Sequence, residues 1–550
     1  MHIVGGDSNS GNALAAMLIG IPSSGSYGNN IAYAMQDIYY GGFVQDDIRL
    51  NDKLTMNIGM RWDYESPFTE RYNRMVSSFC TTCVNPMQAQ VTGLPLLGGL
   101  QFVTYGNRTP YPKNYSNWQP RIGGAYQLMP NLVLRGGFGI VYLNTLETPI
   151  STGYSASTSY VATTDNIHPA NNLSSPFPTG VVQPTGSSAG LATSLGQSLT
   201  FNDPSHVQPR DTEWSVSAEY QFPWSILLSA AYVGQKESRE EVNKSINGLP
   251  IQYYNSPAQA AYLNTKVPNP MYGAAVLPSS SSIDTPTILQ STLLLPYPEF
   301  TGVTDDYASV GSQLYNSLQV AASKRMSHNL SVQGNFTWDK LMDQNSYLNG
   351  GQNTFNQLFR YQDSSPTWVE NLIATYEFPT LLHSYMGKML VGGWTLNTVL
   401  REVNGTLVGT PGGVTQISNP RISNPSNARY FNTCYENASG VNVVGTGACS
   451  SSTATPAFQQ LPSGFWLATI GSDMESVRFH VHPLLDASLF KTIQLHENYN
   501  LEIRGECYNV ANTPNWGNPS TSLGGSSFGS VSATQANDPR ILQLTARFNF

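Results

Sequence analysis

Residues Leu54 to Tyr64 constrain the fold more than any other stretch. Leu54, Met56, Ile58, Met60, Trp62 and Tyr64 fall on one phase, and Thr55, Asn57, Gly59, Arg61 and Asp63 on the other. Side chains alternate faces along an extended chain, so the segment reads as a strand with one apolar and one polar face. Its eleven residues run without a break. Strands of soluble sheets usually have ~5–6 residues, whereas ~9–11 cross a bilayer at a tilt. A strand of this kind needs apolar residues at every second position only, so the shortage of long apolar runs does not exclude a membrane. The best helical candidate, Ala13 to Ile21, is about half the ~18 residues of a spanning helix.

The unit recurs as hairpins. Tyr39–Leu50 precedes Leu54–Tyr64 across Asn51-Asp52-Lys53. Gln119–Leu128 and Leu132–Leu143 flank Met129-Pro130-Asn131, and Glu213–Phe222 and Ser225–Gly234 flank Pro223-Trp224. Gln313–Met326 and Leu330–Asp339 meet at Ser327-His328-Asn329. Trp368–Phe378 and Leu390–Glu402 flank a longer link with Pro379 and Gly387, and Leu484–Gln494 and Tyr499–Val510 meet near His496-Glu497-Asn498. Asn, Asp, Gly and Pro at these points are turn formers. The segments after Tyr64, Leu143, Gly234, Asp339, Glu402 and Val510 run instead to roughly 25–80 residues, against a usual ~4–6. A soluble sandwich has no reason to gather every long connection at one end. A transmembrane barrel of the bacterial outer membrane does, its periplasmic turns being short and its external loops long.

The chain ends on the same pattern. Leu542, Leu544, Ala546, Phe548 and Phe550 share one phase, opposite Gln543, Thr545, Arg547 and Asn549. A strand that closes a chain on an aromatic in this way resembles the last strand of outer-membrane barrels, so Leu542, Leu544, Phe548 and Phe550 are the expected barrel-assembly signal and the barrel-assembly machinery an expected partner. Trp62, Tyr64, Tyr142, Trp338 and Trp368 lie near the long-loop ends of strands, and Phe222, Trp224, Phe378, Phe548 and Phe550 near the short-turn ends. Two interfacial belts in contact with outer-membrane lipid are expected from this placement. The polar phases, with Arg61, Arg135, Asn371, Thr375, Arg401 and Arg547, are expected to line a wet interior.

Charged residues make up 11% of the 550-residue chain and the net charge is −8, which gives no basis for a nucleic-acid partner. The fold class expected is all-β, an antiparallel transmembrane barrel, incomplete at about 13–14 strands, with residues 38–550 forming the barrel domain. Residues 1–37 are expected to be an external loop or the remnant of preceding strands. With short turns in the periplasm, Tyr39–Leu50 runs inward and starts outside. A barrel of bacteria wants an even strand number, and thirteen are counted. The opening Met1-His-Ile-Val-Gly-Gly-Asp has neither a basic nor an apolar region of a signal peptide. The expectation is therefore a C-terminal portion of something longer. The alternative is a strand hidden in residues 1–37, near His2–Val4 or Ala13–Ile21.

Several motifs are similar to one family. Gly41-Gly42-Phe43-Val44-Gln45-Asp46-Asp47 followed by Leu54-Thr55-Met56-Asn57-Ile58-Gly59-Met60-Arg61 resembles a hairpin of TonB-dependent receptors, in particular the Oar-like transporters. So do Pro120-Arg121-Ile122-Gly123-Gly124-Ala125-Tyr126, Leu134-Arg135-Gly136-Gly137-Phe138-Gly139, Tyr315-Asn316-Ser317-Leu318-Gln319, Gly393-Trp394, and Arg504-Gly505-Glu506-Cys507-Tyr508-Asn509 with Asn512-Thr513-Pro514-Asn515. The resemblance implies an outer-membrane transporter whose 22-stranded barrel is closed by an N-terminal plug, with a short segment that contacts TonB. Neither plug nor TonB segment is present among these motifs, so TonB would be a partner only through a missing N-terminal segment. The function expected is binding of an unknown ligand at the external loops and its passage across the outer membrane. The alternatives are a surface adhesion or structural barrel without transport, and a secreted soluble β-protein.

Chemistry is sparse. Cys80-x-x-Cys83 has redox spacing but lies in a long loop without a βαβ unit, so a local disulfide is expected, as is one between Cys434 and Cys449. Cys507 shares a phase with Leu501 and Ile503 and reads as a lipid-facing small apolar residue. His480-x-His482 has no third ligand at metal spacing, and Asp46 and Asp47 point to opposite faces and form no dyad. Nucleophile elbows, phosphate-binding glycine loops and zinc-protease motifs are lacking. No catalytic residue, metal or cofactor is expected. The external loops, rich in Tyr, Asn, Ser and Gly, form the expected ligand surface, with Tyr154, Tyr160, Tyr253, Tyr254 and Tyr262 as candidate anchors.

Overall fold

The computed structural model describes residues 13–144, 150–165, 168–278, 281–349, 358–380, 384, 387, 391–443, 455–462, 464–496, 499–532 and 534–550. One antiparallel path of thirteen strands runs through it: β1 (Tyr39–Asn51), β2 (Leu54–Glu65), β3 (Asn117–Met129), β4 (Leu132–Tyr142), β5 (Arg210–Phe222), β6 (Ile226–Ser245), β7 (Gly302–Ser327), β8 (Leu330–Tyr347), β9 (Trp368–Glu377), β10 (Trp394–Val403), β11 (Leu484–His496), β12 (Tyr499–Tyr508) and β13 (Ile541–Asn549). Each strand pairs with its neighbours in sequence, and β1 and β13 are the two edges of the path among the described residues. The short turns are locally satisfied. The Asn51 side chain accepts from the Lys53 and Leu54 N–H groups at 2.9 Å each. His328 and Asn329 both take positive φ, as a two-residue hairpin turn requires.

Register carries the alternation of β2 across the whole sheet. Directly paired residues share a face, so a chain of pairs transmits phase from strand to strand. Met60 opposes Val44 on β1 and Pro120 on β3; Ile122 opposes Phe138; Val216 opposes Gly136 and Tyr232. Tyr232 opposes Leu318, Leu318 opposes Trp338, and Trp338 opposes Trp368. Leu372 opposes Leu400, Leu400 opposes Leu485, Ala487 opposes Cys507, and Cys507 opposes Leu542. The result is one apolar face that remains uncovered by protein: Ile58 is 43% exposed and Leu544 89%. An exposed apolar surface of this extent marks a membrane-contacting face. Two lysines on it, Lys324 and Lys491, lie at the short-turn end, where their ammonium groups donate to main-chain carbonyls of Ser327, Leu330 and Gly392. Long basic side chains reach the interface in this way.

The largest departure from the sequence reading lies at the long-loop end. β6 continues to Ser245 instead of Gly234, β7 begins at Gly302 instead of Gln313, and β8 continues to Tyr347 instead of Asp339. At ~3.3 Å per residue, the 26 residues of β7 reach far past a ~30 Å hydrocarbon core. Ser198–Asn202 adds to β7 in parallel and Leu358–Gln362 adds to β8. Polar and apolar residues mix on both faces of these extensions, so the alternation that identifies a lipid-spanning strand fades where the strand leaves the membrane. The expected start of β10 at Leu390 lies outside the described residues.

The buried core of the molecule sits in the long connections. One cluster joins Phe79 and Leu100 from 66–116, Leu195 and Phe201 from 143–209, and Met271, Tyr297 and Phe300 from 246–301. A second joins Val408, Phe431, Phe458 and Phe479 from 404–483 to Val531 from 509–540. A third group, Leu249, Tyr254 and Leu263 with Phe465 and Leu467, lies between the two. The connections are thus packed caps. Ala13–Leu18 is a short helix, Ser26–Asn30 pairs with Ser155–Ser159, and Met35–Gln36 pairs with Thr69–Glu70. Residues 2–4 lie outside the described residues.

Candidate functional site: the polar face and its rim

The opposite phase is mainly polar and can be followed across the sheet in the same way. Thr55 opposes Ala125 and Ala125 opposes Arg135; Arg135 opposes Ser217, and Ser217 opposes Ala231. From there the row passes through Gln319, Thr337 and Val369, the phase that also holds Asn371 and Thr375. Asn371 opposes Arg401, which opposes Leu484; Ser488 opposes Glu506, which opposes Gln543, on the phase of Arg547. Register therefore brings Arg61, Arg135, Asn371, Thr375, Arg401 and Arg547 to one face. Several of the cations are matched: Arg61 Nε lies 2.9 Å from Asp63, Arg135 lies 3.0 Å from Glu219, and Arg504 lies 2.9 Å from Glu502. These pairs are partly exposed and stabilise the fold little. They place alternating charge and hydrogen-bonding groups along the polar face.

Above the lipid-spanning part, the extended strands build a feature that the sequence reading missed. Asp211 of β5, Glu237 of β6, Gln313 of β7 and Asp343 of β8 stand directly opposite one another in a single row, which Tyr361 of the added strand completes. Amides hold the carboxylates: Gln235 Nε2 donates to Asp211 at 2.6 Å, Gln313 Nε2 to Asp343 at 2.8 Å, and Asn345 Nδ2 to Glu240 at 3.1 Å. Tyr361 in turn donates its hydroxyl to Asn345 at 2.8 Å. Burial, then the nearby Glu240 and Asp211 carboxylates, pushes Glu237 above its ordinary value. Burial pushes Asp343 up too, against the opposing pull of the Gln313 amide. The signal for this row was present in the sequence as Gln313, the first residue of an expected strand, and as Gln235-Lys236-Glu237, which read as loop because charge falls on both phases.

The caps treat the candidate tyrosines differently from expectation. Tyr154, Tyr160 and Tyr254 are buried, and Tyr253 packs against the third cluster; Tyr262 is exposed. Most of these rings are therefore cap core, because a loop long enough to fold buries its aromatics as any domain does. The same packing strands one acid. Glu299 is 0% exposed and neither carboxyl oxygen has a hydrogen-bond partner among the described residues. Burial pushes it up to about 8 from an ordinary 4.5. The folded cap thus favours the protonated acid. Its contribution is full below about pH 4.5, declines as pH rises toward about 8, and stays low beyond that. Glu299→Gln cannot ionise, so it is expected to match the wild-type melting temperature near pH 5 and exceed it near pH 9. Identical pH profiles of the two melting curves would refute this account.

The remaining site expectations fall as follows. Cys80 and Cys83 are joined by a disulfide with Cα atoms 5.7 Å apart. Cys434 is disulfide-bonded and buried; its expected partner Cys449 lies outside the described residues. Cys507 is free and lies on the apolar face opposite Leu542. The rings of His480 and His482 meet edge to face, 4.7 Å between centroids, and no group of three metal-ligating side chains occurs among the described residues. On β13, Leu542, Leu544 and Phe548 line the apolar face of the sheet edge, and Phe548 stacks on Tyr499 at 5.9 Å and on Phe550 at 6.2 Å. Of the inner aromatic belt, Phe222, Trp224, Phe378, Phe548 and Phe550 are exposed. In the outer belt Trp338 is exposed, but Tyr64 is covered by Tyr115 and only 7% exposed.

No curated protein matches the chain. Among solved structures it is similar to the ferric-catecholate import receptor Fiu from K12 E. coli, at 12% identity over 94% of this chain and 45% of that one, TM-score 0.38. It is also similar to the siderophore receptor PiuA from Acinetobacter baumannii, at 8% identity over 94% and 44%, TM-score 0.38. The outer membrane transporter YddB from Escherichia coli matches at 10% identity over 96% and 54%, TM-score 0.38. The chain spans about half the length of these proteins. The family described as "Outer membrane beta barrel domain" matches residues 2–543. With a thirteen-strand antiparallel sheet, one apolar and one polar face, and every cap at one end, this chain belongs to the outer membrane beta barrel domain family.

Proposed function

We propose that the chain is the barrel portion of an energy-coupled outer-membrane transporter of the TonB-dependent, Oar-like kind. It binds its substrate at the external caps and passes it along the polar face. The single observation that carries this reading is the largely polar phase that brings Arg61, Arg135, Asn371, Thr375, Arg401 and Arg547 to one face beneath the caps at the outer end. A plug and a TonB-contacting segment would be supplied by chain outside this sequence, and β13 would present Leu542, Leu544, Phe548 and Phe550 to the assembly machinery.

The test compares the producing bacterium with a strain whose gene is disrupted. Both are offered radiolabelled oligopeptides, oligosaccharides and ferric chelates, with and without a protonophore. At least one probe is expected to accumulate in energised wild-type cells alone. Equal uptake of every probe by both strains, with weaker surface attachment of the disrupted strain, would instead establish an adhesion barrel.

A further inference from the structure

A cleft of about 690 Å³ opens at the outer ends of β1 and β2, lined among others by Tyr40, Trp62, Tyr64, Tyr115, Arg108 and Lys113. Its position on the sheet is fixed by register. Tyr40 opposes Tyr64 and Gly42 opposes Trp62, on the phase of Val44 and Met60. The cleft therefore continues the lipid-facing side and lies apart from the polar wall.

Its base is a stack of rings. Tyr64 and Tyr115 are 4.6 Å apart with planes 10° from parallel, and Trp62 and Tyr40 stack on Tyr64 at 6.4 and 6.3 Å. Trp62 Nε1 donates to the Tyr115 carbonyl at 2.9 Å, which pins the connection over the strand. Tyr40 and Tyr115 remain exposed.

Its rim is cationic. Arg108 donates from Nε to Asn73 Oδ1 at 2.8 Å and from Nη2 to the Glu70 carbonyl at 2.7 Å. These neutral acceptors orient the guanidinium and leave its charge uncompensated. Lys113 is exposed and has no hydrogen bond or ion pair among the described residues. Between residues 66 and 116 the bases are Arg71, Arg74, Arg108 and Lys113, and Glu70 is the one acid, four minus one, or +3. That carboxylate is buried and already held by Arg74 at 3.0 Å and by the Tyr72 and Arg74 N–H groups. None of the other long connections has a net charge above zero, in a chain of net −8. The basic surface is thus local to this cleft.

Flat exposed rings at the membrane interface beside an oriented guanidinium and an exposed ammonium suit a ligand with a sugar face and an anionic group. Arginine in particular matches phosphate. We propose that this cleft binds the phosphorylated sugar headgroup of an outer-leaflet glycolipid. The sugar lies on the exposed tyrosine rings and the phosphate on Arg108 and Lys113, with the acyl chains continuing down the apolar face. The site is independent of any transported substrate.

The test uses the full-length protein, extracted in mild detergent and stripped of lipid, titrated with diphosphoryl lipid A and with its dephosphorylated form while tryptophan fluorescence is followed. The phosphorylated form is expected to bind about tenfold or more tightly than the dephosphorylated one. Lys113→Glu is expected to remove that preference, and Lys266→Glu, in another connection, to leave it intact. Because Lys113 is exposed and unpaired, its substitution leaves folding undisturbed. Native mass spectrometry of the unstripped protein is expected to find a glycolipid retained by wild type and lost from Lys113→Glu. Equal binding of the two lipids, an unaltered preference in Lys113→Glu, or displacement of lipid A by inorganic phosphate at the same concentration would each overturn the proposal.

Discussion

Ile58→Arg is expected to reduce barrel assembly in the membrane by about 2–4 kcal/mol, the usual cost of a cation at the midplane of a barrel's lipid face. Ile58 lies halfway along β2, with Trp62 toward the outer interface and the Asn51 turn at the other end. It opposes Ile122 on one side and Asp46 on the other. The opposed Asp46 carboxylate offsets part of that cost, so the full penalty is expected when Ile58→Arg is combined with Asp46→Asn. Asn57→Lys, one residue away, places a cation on the polar face beside Asp47, to which Asn57 already donates. That variant is expected to assemble like wild type. Heat-modifiable mobility of outer-membrane fractions measures both. Equal assembly of the two variants would show that the faces have been assigned the wrong way round.

Phe300→Ala is expected to cost about 3–5 kcal/mol, and to take it from the first cap alone. Phe300 is fully buried, and its ring meets that of Phe79 at 6.0 Å, from a connection more than two hundred residues earlier. Removing it leaves a void in a cluster that all three connections of the cap share. On intact cells, added protease is expected to cut within 66–116, 143–209 and 246–301 while the barrel keeps its folded mobility. Phe431→Ala is expected to do the same for the second cap, where Phe431 meets Phe458 at 6.3 Å and Phe528 at 5.4 Å. Loss of barrel mobility along with the cap would show that the caps are integral to the wall.

The membrane-spanning part was legible because two solvents act on it. Lipid on one side and water on the other impose a period of two, and the thirteen strands that alternate in sequence are the thirteen of the antiparallel path, which two short strands outside it join. The extension of β6 beyond Gly234 was illegible for the complementary reason. Lys236, Glu237, Arg239 and Glu240 place charge on both phases, and water reaches both sides of that part of the strand. The caps were hidden by a third cause. Val76, Leu100, Phe201, Met271 and Phe300 are spread through Ser-, Asn- and Gly-rich sequence with no period, and they form a core only through contacts between distant connections. Reading Tyr154 and Tyr254 as surface anchors followed from composition, which does not distinguish a solvated loop from a folded one.

The first cap has no core until residues as far apart as Val76 and Val303 are brought together. Those residues enter from three different hairpins, each held in place by its neighbours in the wall. Closing contacts over such separations is slow, and their loop-closure entropy must be met before the apolar contacts compensate for it. The order of events expected is that strands dock first and the cap condenses last, on the far side of the membrane. During secretion its apolar side chains travel unburied, so a chain stalled before β7 joins the wall would display Phe79 and Phe201 to the cell exterior. The time to complete the surface is then set by the last hairpin to arrive.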